Sequence, residues 1–311
     1  MRGVKMTADG IAVVPGPEVP PEGTVRVEVV SSGICGSDLH MVSLGPSWAI
    51  LGHEFCGRLD DGTPVAVLPV AHCGTCDRCR AGAEAQCRNA LGAMYGVSLD
   101  GGLADEAWVA PQCAKPLPAG LALDHAHLVE PLAVALHGIH LAGVESGMRV
   151  LVLGAGPVGL CTVAAARHLG ADVDLEAHRP DRLAAGERLG ASVVVGGDYE
   201  VVLDAAGTQS SLDRATELVR PGGRIAILGT YWEPVALGMA FQMKEVTIIP
   251  SFTYGHHHGT DEFVAAADIL AATPDLVDAV VTHRFGLDEA AEAFRVAADR
   301  NAGAIKVAVL P

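Results

Sequence analysis

The sequence predicts an α/β protein: a doubly wound parallel sheet joined to a β-rich part. Three observations carry this expectation. The run Gly154-Ala155-Gly156-Pro157-Val158-Gly159 stands between an apolar strand, Arg149 to Leu153, and a helix, Leu160 to Leu169. Strand and helix patterns then alternate as far as Val246-Thr247-Ile248-Ile249. Ahead of that run, short strands alternate with Pro- and Gly-marked turns.

The chain has 311 residues, enough for two domains, and 50% of them are hydrophobic. Aromatics make up only 4%, so the core must rest on Ala, Val and Leu. A formal charge of −16 argues against a general binder of nucleic acid or anionic membrane. The N-terminus lacks an apolar signal core, and the uncharged run from Val150 to Ala166 is interrupted by glycines and a proline. A cytoplasmic protein is expected.

In the first part, Val25-Arg26-Val27-Glu28-Val29 alternates like a half-buried strand. Gly33-Ile34-Cys35-Gly36-Ser37-Asp38-Leu39-His40 follows, answered by Gly52-His53-Glu54. Cys35 and His53 are ligand types that zinc selects, and Ser37 and His40 can move a proton near a metal. Cys73, Cys76, Cys79 and Cys87 form the strongest metal signal. Two CxxC steps and a later thiolate close a tetrahedron with no free position, so the site should be structural. An iron–sulfur cluster is the rival reading. Residues 128 to 142 read as a helix begun by Pro131, with Glu130 in its first turn facing the helix dipole and His137 and His140 as packing residues.

The GxGxxG run sits in the Rossmann-type context of strand, tight turn and helix, where a dinucleotide pyrophosphate meets a helix N-terminus. The next strand is expected to end at Ala177, followed by His178, Arg179 and Pro180. No carboxylate there, with Arg179 just beyond, favours the 2′-phosphate of NADP over NAD; in the alternative, Glu176 holds an NAD ribose. Asp174 and Glu176 are unusual for a buried parallel strand. Strands are expected at Val201 to Leu203, Arg224 to Leu228 and Ile305 to Val309. Helices are expected at Leu212 to Val219, closed by Pro221-Gly222-Gly223, at Asp261 to Ala272 and at Asp288 to Asp299. His256-His257-His258 reads as a solvated loop.

The order GxCGSDxH, GHE, four cysteines, EPL, GxGxxG, PGG resembles the zinc-dependent medium-chain alcohol dehydrogenases over nearly the whole chain. Glu130 in the third metal position makes it most similar to the sorbitol, threonine and butanediol dehydrogenases. The resemblance implies a GroES-like catalytic domain split over residues 1–132 and 254–311, around a cofactor domain at 133–253. It implies two zinc ions per chain. One is catalytic, on Cys35, His53 and Glu130, with Glu54 as a nearby or exchangeable carboxylate. The other is structural, on Cys73, Cys76, Cys79 and Cys87. Zinc would lower the pKa of an alcohol. Ser37 would pass its proton through the cofactor ribose toward His40, and hydride would go to the nicotinamide. Arg182 matches a position near the adenosine ribose, and Lys306 one that reaches the cofactor. A homodimer or homotetramer is implied. The sequence is shorter than the family pattern between Cys35 and His53 and near Asp60 to Pro64. The stretch Ser192 to Val195 also runs almost directly into Glu200 to Leu203, without the usual strand–helix connection.

The expected activity is reversible oxidation of a secondary alcohol with NADP. A silent zinc- and dinucleotide-binding sensor is the reading of a different class. The cofactor assignment has a direct check. Arg179→Ala should weaken NADPH binding far more than NADH binding in a fluorescence titration, and equal losses would remove the 2′-phosphate assignment.

Overall fold

Proline-fixed turns and period-two apolar patterns dominate the first 116 residues, and they fold as strands. The computed structural model describes residues 1–17, 19–194 and 196–311. Strands β1 (Arg2–Thr7) and β2 (Gly10–Pro15) form a hairpin. Then come β3 (Val25–Ile34), helix α1 (Gly36–Ser43), β4 (Glu54–Leu59), β5 (Pro64–Val67), the short helix α2 (Asp77–Arg80), β6 (Glu106–Val109) and β7 (Ala114–Pro116). Helix α3 (Val129–Leu141) leads into β8 (Arg149–Leu153), α4 (Pro157–His168), β9 (Asp172–Glu176), α5 (Pro180–Arg188), β10 (Ser192–Val193) and β11 (Tyr199–Asp204). These are followed by α6 (Gln209–Leu218), β12 (Val219–Ile227), α7 (Met239–Met243), β13 (Thr247–Pro250), and the small hairpin of β14 (His256–His257) and β15 (Thr260–Asp261). The chain ends with α8 (Glu262–Ala272), α9 (Asp275–Val280), β16 (Val281–Gly286), α10 (Ala290–Ala298) and β17 (Lys306–Leu310). Among the described residues, no helix is long and apolar enough to cross a membrane.

Two compact units result. One comprises residues 1–130, 263–271 and 281–311; the other comprises 131–262 and 272–280. In the first, the strands run in the order β16-β17-β3-β4-β5-β7, with β6 also paired to β3. The alternation in β3 is realised: Val27 and Val29 are buried while Glu28 is exposed. The last strand, β17, pairs antiparallel with β3 at Val307–Ile34 and Val309–Ser32, next to the Cys35 segment. Val4, Ile34, Leu51, Leu103, Phe294 and Val307 share one core.

The second unit holds a parallel sheet in the order β10-β9-β8-β11-β12-β13, the doubly wound arrangement. Its core includes Leu151, Tyr199, Val202, Leu212 and Ile225. Helix α6 ends where Lys244 donates to the carbonyls of Thr216, Glu217 and Val219 at 2.7–2.9 Å, a cation on the helix C-terminus. Pro221-Gly222-Gly223, expected as a loop closing that helix, lies within β12, with Gly222 at φ +68°. The short spacing expected after β10 is seen in the element bounds, Ser192–Val193 for β10 and Tyr199–Asp204 for β11, and Arg149 donates to the Gly197 carbonyl at 3.5 Å. Val195, part of that expectation, lies outside the described residues.

Asp174 is buried in β9 because its charge is compensated. Arg149 donates to it at 2.6 and 3.1 Å, and the Tyr199 hydroxyl at 2.6 Å. Tyr199 is fully buried, and burial with a nearby carboxylate raises its pKa. Asp174→Ala should therefore cost about 1–3 kcal/mol by leaving a buried hydroxyl without its acceptor. An unchanged midpoint in a urea unfolding curve would contradict this.

Candidate active site

Cys35 is the residue before α1, and its backbone N–H is answered by the Asp38 carboxylate at 2.9 Å, three residues into the helix. The other Asp38 oxygen lies 3.3 Å from His53 Nδ1. His53 comes off a turn at Gly52, where φ is +93° and a Cβ would approach Leu103 N to 2.6 Å, so only glycine fits. The ligand atoms of Cys35, His53 and Glu54 lie within 4.8 Å of one another. A thiolate, an imidazole and a carboxylate suit zinc, and with Asp38 beside Nδ1 the nitrogen left for a metal would be Nε2. Burial opposes a charge on His53, but Asp38 and Cys35 outweigh it and hold the pKa well above its usual value. Ser37 Oγ is 3.3 Å from His53 Nε2, and His40 lies one turn further along α1. Glu130 is buried in the first turn of α3 and stands outside the converging group.

Glu54 is also held from below. Lys306 Nζ lies 2.5 and 2.7 Å from its two oxygens and donates to the Ile34 carbonyl at 3.1 Å. Both side chains are 1% exposed. Gly33 makes room, since a Cβ there would come within 2.3 Å of Glu54 Oε2. His127 packs beside Gly33, bonded through Nδ1 to Ser31 Oγ at 2.8 Å. Burial and the Lys306 charge push its pKa down to about 3, so it is neutral.

The Sγ atoms of Cys73, Cys76, Cys79 and Cys87 also lie within 4.8 Å of one another, with Cys73–Cys79 at 3.9 Å and Cys76–Cys79 at 3.5 Å. One zinc with 2.3 Å bonds sets tetrahedral sulfurs about 3.8 Å apart, and a multi-iron cluster would need them wider. Those two separations suit a single ion better than an iron–sulfur cluster. Backbone N–H groups point at the sulfurs: Cys76 N to Cys73 Sγ at 3.4 Å and Cys79 N to Cys76 Sγ at 3.5 Å. Hydrogen bonds from Thr75 bring the Cys73 thiol down to about 6, while burial pushes Cys79 up to about 12.

In the second unit the glycine loop has the form a dinucleotide needs. Gly154 has φ +95° and its N–H donates to the Glu176 carbonyl at 2.9 Å. Gly156 precedes α4 and has open space where a Cβ would stand, and Pro157 opens the helix. Val158 accepts from Thr162 at 2.7 Å. A Cβ on Gly159 would sit 1.9 Å from the Gly154 carbonyl oxygen. These are the three roles of such glycines: tight turn, close approach, and helix packed on strand. Strand β9 ends at Glu176, one residue before the expected Ala177, so a carboxylate does stand at the strand end. Arg214 grips it, with Nε at 2.9 Å and Nη2 at 2.9 Å. His178 is exposed, Arg179 precedes α5 and pairs with Asp181, and Arg182 is partly buried in that helix.

Local patterns missed five features. Asp38 had a signal that could have found it, a carboxylate at the capping position three residues after Cys35. Asp204, fully buried, accepts from Ala206 N, Gly207 N, Ser211 Oγ and Tyr231 OH at 2.6–3.2 Å and fixes the loop after β11. Arg214 carries no local signal. His137 and His140, expected to be packing residues, both contact Glu262 through Nδ1, at 2.6 and 2.7 Å. His257, expected in a solvated loop, is in β14 and stacks on His140 at 3.9 Å between centroids. Burial disfavours the Glu262 charge, but those contacts and Gly255 N–H bring its pKa down to about 2.

Two family models match the chain: alcohol dehydrogenase GroES-like domain over residues 21–119, and zinc-binding dehydrogenase over residues 157–272. The L-arabinitol 4-dehydrogenase of Aureobasidium melanogenum is 30% identical, covering 92% of this chain and 87% of that protein. The chain belongs to the zinc-dependent medium-chain dehydrogenase family. It is an oxidoreductase of the alcohol dehydrogenase type, in the branch of the sorbitol and threonine enzymes. A zinc-binding dehydrogenase from Sinorhizobium meliloti 1021 bound to NADP is similar, at 31% identity over 100% of this chain and 99% of the other, with a TM-score of 0.87. So is an alcohol dehydrogenase from Escherichia coli CFT073 complexed with NADH, at 26% identity over 100% and 99%, with a TM-score of 0.88. In this dehydrogenase, Asp38→Asn should lower zinc affinity at the Cys35 site about 10–100-fold, as for other partners of a ligating histidine. Competition against a chromogenic chelator measures this, and unchanged affinity would deny Asp38 the role.

Proposed function

We propose that this dehydrogenase interconverts a secondary alcohol or polyol and its ketone, with NADP preferred over NAD. The observation that carries the reading is the convergence of Cys35, His53 and Glu54, backed by Asp38 and Lys306. That donor set fits a zinc ion, which supplies Lewis-acid polarisation of a substrate oxygen when bound. Glu130 is the candidate third ligand in the family pattern, with Glu54 as the exchangeable carboxylate. Cys73, Cys76, Cys79 and Cys87 would hold the second, structural zinc. Ser37 Oγ, 3.3 Å from His53 Nε2, would take the proton of the substrate hydroxyl and pass it toward His40. The named activity of the arabinitol enzyme, which acts on a polyol, supports the substrate class. Gly154, Gly156 and Gly159, with Pro157 and Val158, would cradle the pyrophosphate. Arg179, His178 and Arg182 would border the adenosine end, and the engagement of Glu176 by Arg214 supports NADP. Lys306 would act through Glu54, with its ammonium held there.

The test pairs zinc content with activity. The purified chain should hold two zinc ions and reduce a ketone or ketol faster with NADPH than with NADH. Cys35→Ala should keep one zinc, keep dinucleotide binding and lose turnover by at least about a thousandfold, the scale on which a central electrophile acts. Retained turnover in that variant would overturn the metal assignment. A rate with NADH alone would overturn the cofactor preference.

A further inference from the structure

We propose that Arg214 is the specificity-determining residue for the cofactor, acting by masking the carboxylate of Glu176. The inference deepens the NADP reading above and rests on it. Glu176 is the last residue of β9, paired with Leu153 of β8, and its carbonyl accepts the Gly154 N–H. It therefore stands beside the phosphate loop, 22 positions after Gly154, where a carboxylate normally holds the ribose diol of NAD. Left bare, that carboxylate would accept hydrogen bonds from the diol and repel a 2′-phosphate.

It is not bare. Helix α6 begins just past the loop that Asp204 fixes and projects Arg214 in its second turn onto Glu176. Arg214 Nε lies 2.9 and 3.1 Å from the two Glu176 oxygens, and Nη2 donates to Oε2 at 2.9 Å. Nη1 turns to Glu217 at 2.7 Å, which orients the guanidinium from its far side. The fork-on-carboxylate geometry occupies the lone pairs the diol would need and cancels the charge the phosphate would meet. A guanidinium offers five N–H donors, so some remain beyond these contacts. Lysine could not grip both oxygens in this way. Arg214 comes from a different strand–helix unit than the strand-end position, and so escapes a reading confined to the residues after β9.

The experiment measures dissociation constants of NADPH and NADH by fluorescence for the zinc-loaded protein and for Arg214→Gln, Glu176→Gln and the double variant. Arg214→Gln should raise the ratio Kd(NADPH)/Kd(NADH) about tenfold or more, since a like charge is now exposed to the phosphate. Adding Glu176→Gln to it should return most of that ratio. Arg214→Lys should fall between the wild type and Arg214→Gln, which guards against a merely structural effect of removing the cation. An unchanged ratio in Arg214→Gln would overturn the proposal. So would a shifted ratio that Glu176→Gln fails to recover, which would mean that Arg214 binds the phosphate directly. A wild type that prefers NADH, with the ratio still rising in Arg214→Gln, would overturn the NADP reading and leave the masking intact. A wild type that prefers NADPH, with no response to Arg214→Gln, would do the reverse.

Discussion

The ion pair between Lys306 and Glu54 is the constraint on which the first unit depends. It joins residues 252 positions apart, and both side chains are 1% exposed. Two charges taken out of water repay their desolvation only when geometry is good, and removing one strands the other at about 3–5 kcal/mol. The pair therefore fixes register more than it adds stability. It locks β17 against β3 and sets Glu54 next to the cysteine and histidine of the metal group. Gly33 is part of the same solution, because any side chain there would occupy the place of the carboxylate oxygen. His127 stays neutral beside the cation, so the buried charge count remains balanced.

The second unit solves a related problem with different residues. A parallel sheet covered on both faces has little room for charge. Five carboxylates nevertheless stand on β9 and β11, and Asp174, Asp204 and Glu176 are the three that tie these strands to other elements of the unit's interior. Asp174 is paid for by Arg149 and Tyr199, Asp204 by two backbone N–H groups and two hydroxyls, and Glu176 by Arg214. Each links separate elements: Asp174 joins three strands, Asp204 ties β11 to α6, and Glu176 ties β9 to α6. The Glu176 and Asp204 braces lie at the end of the sheet that carries the glycine loop, and the Asp174 brace lies at the starts of β8 and β11.

What the amino-acid order disclosed follows from range. The four cysteines, the GSDLH segment and GxGxxG are local patterns whose spacing states the chemistry, and the chain brings each together as spaced. The strand-end residue of β9 missed by one position, within the ordinary uncertainty of element boundaries, yet that one position exchanged an alanine for a carboxylate. His137 and His140 read as packing residues because their partner, Glu262, lies 125 and 122 positions away, beyond any helical period. Arg214 was invisible for the same reason. Glu130 shows the converse: the EPL motif marks it by family pattern, while the group that converges in this structure contains Glu54.

The abbreviated passage from β10 to β11 has a consequence of its own. The sheet order places two strands between them, so the chain must cross three inter-strand spacings, about 14 Å. Six peptide steps from residue 193 to residue 199 reach at most about 20 Å. The slack is small, and every residue added to β10 would carry its end further from the start of β11. The tether thus rations the length of the border strand, which stops at Ser192–Val193. A border of two residues is a poor template for a foreign strand. So short a border strand gives the sheet a blunt, self-limiting margin that resists growing onto a neighbour.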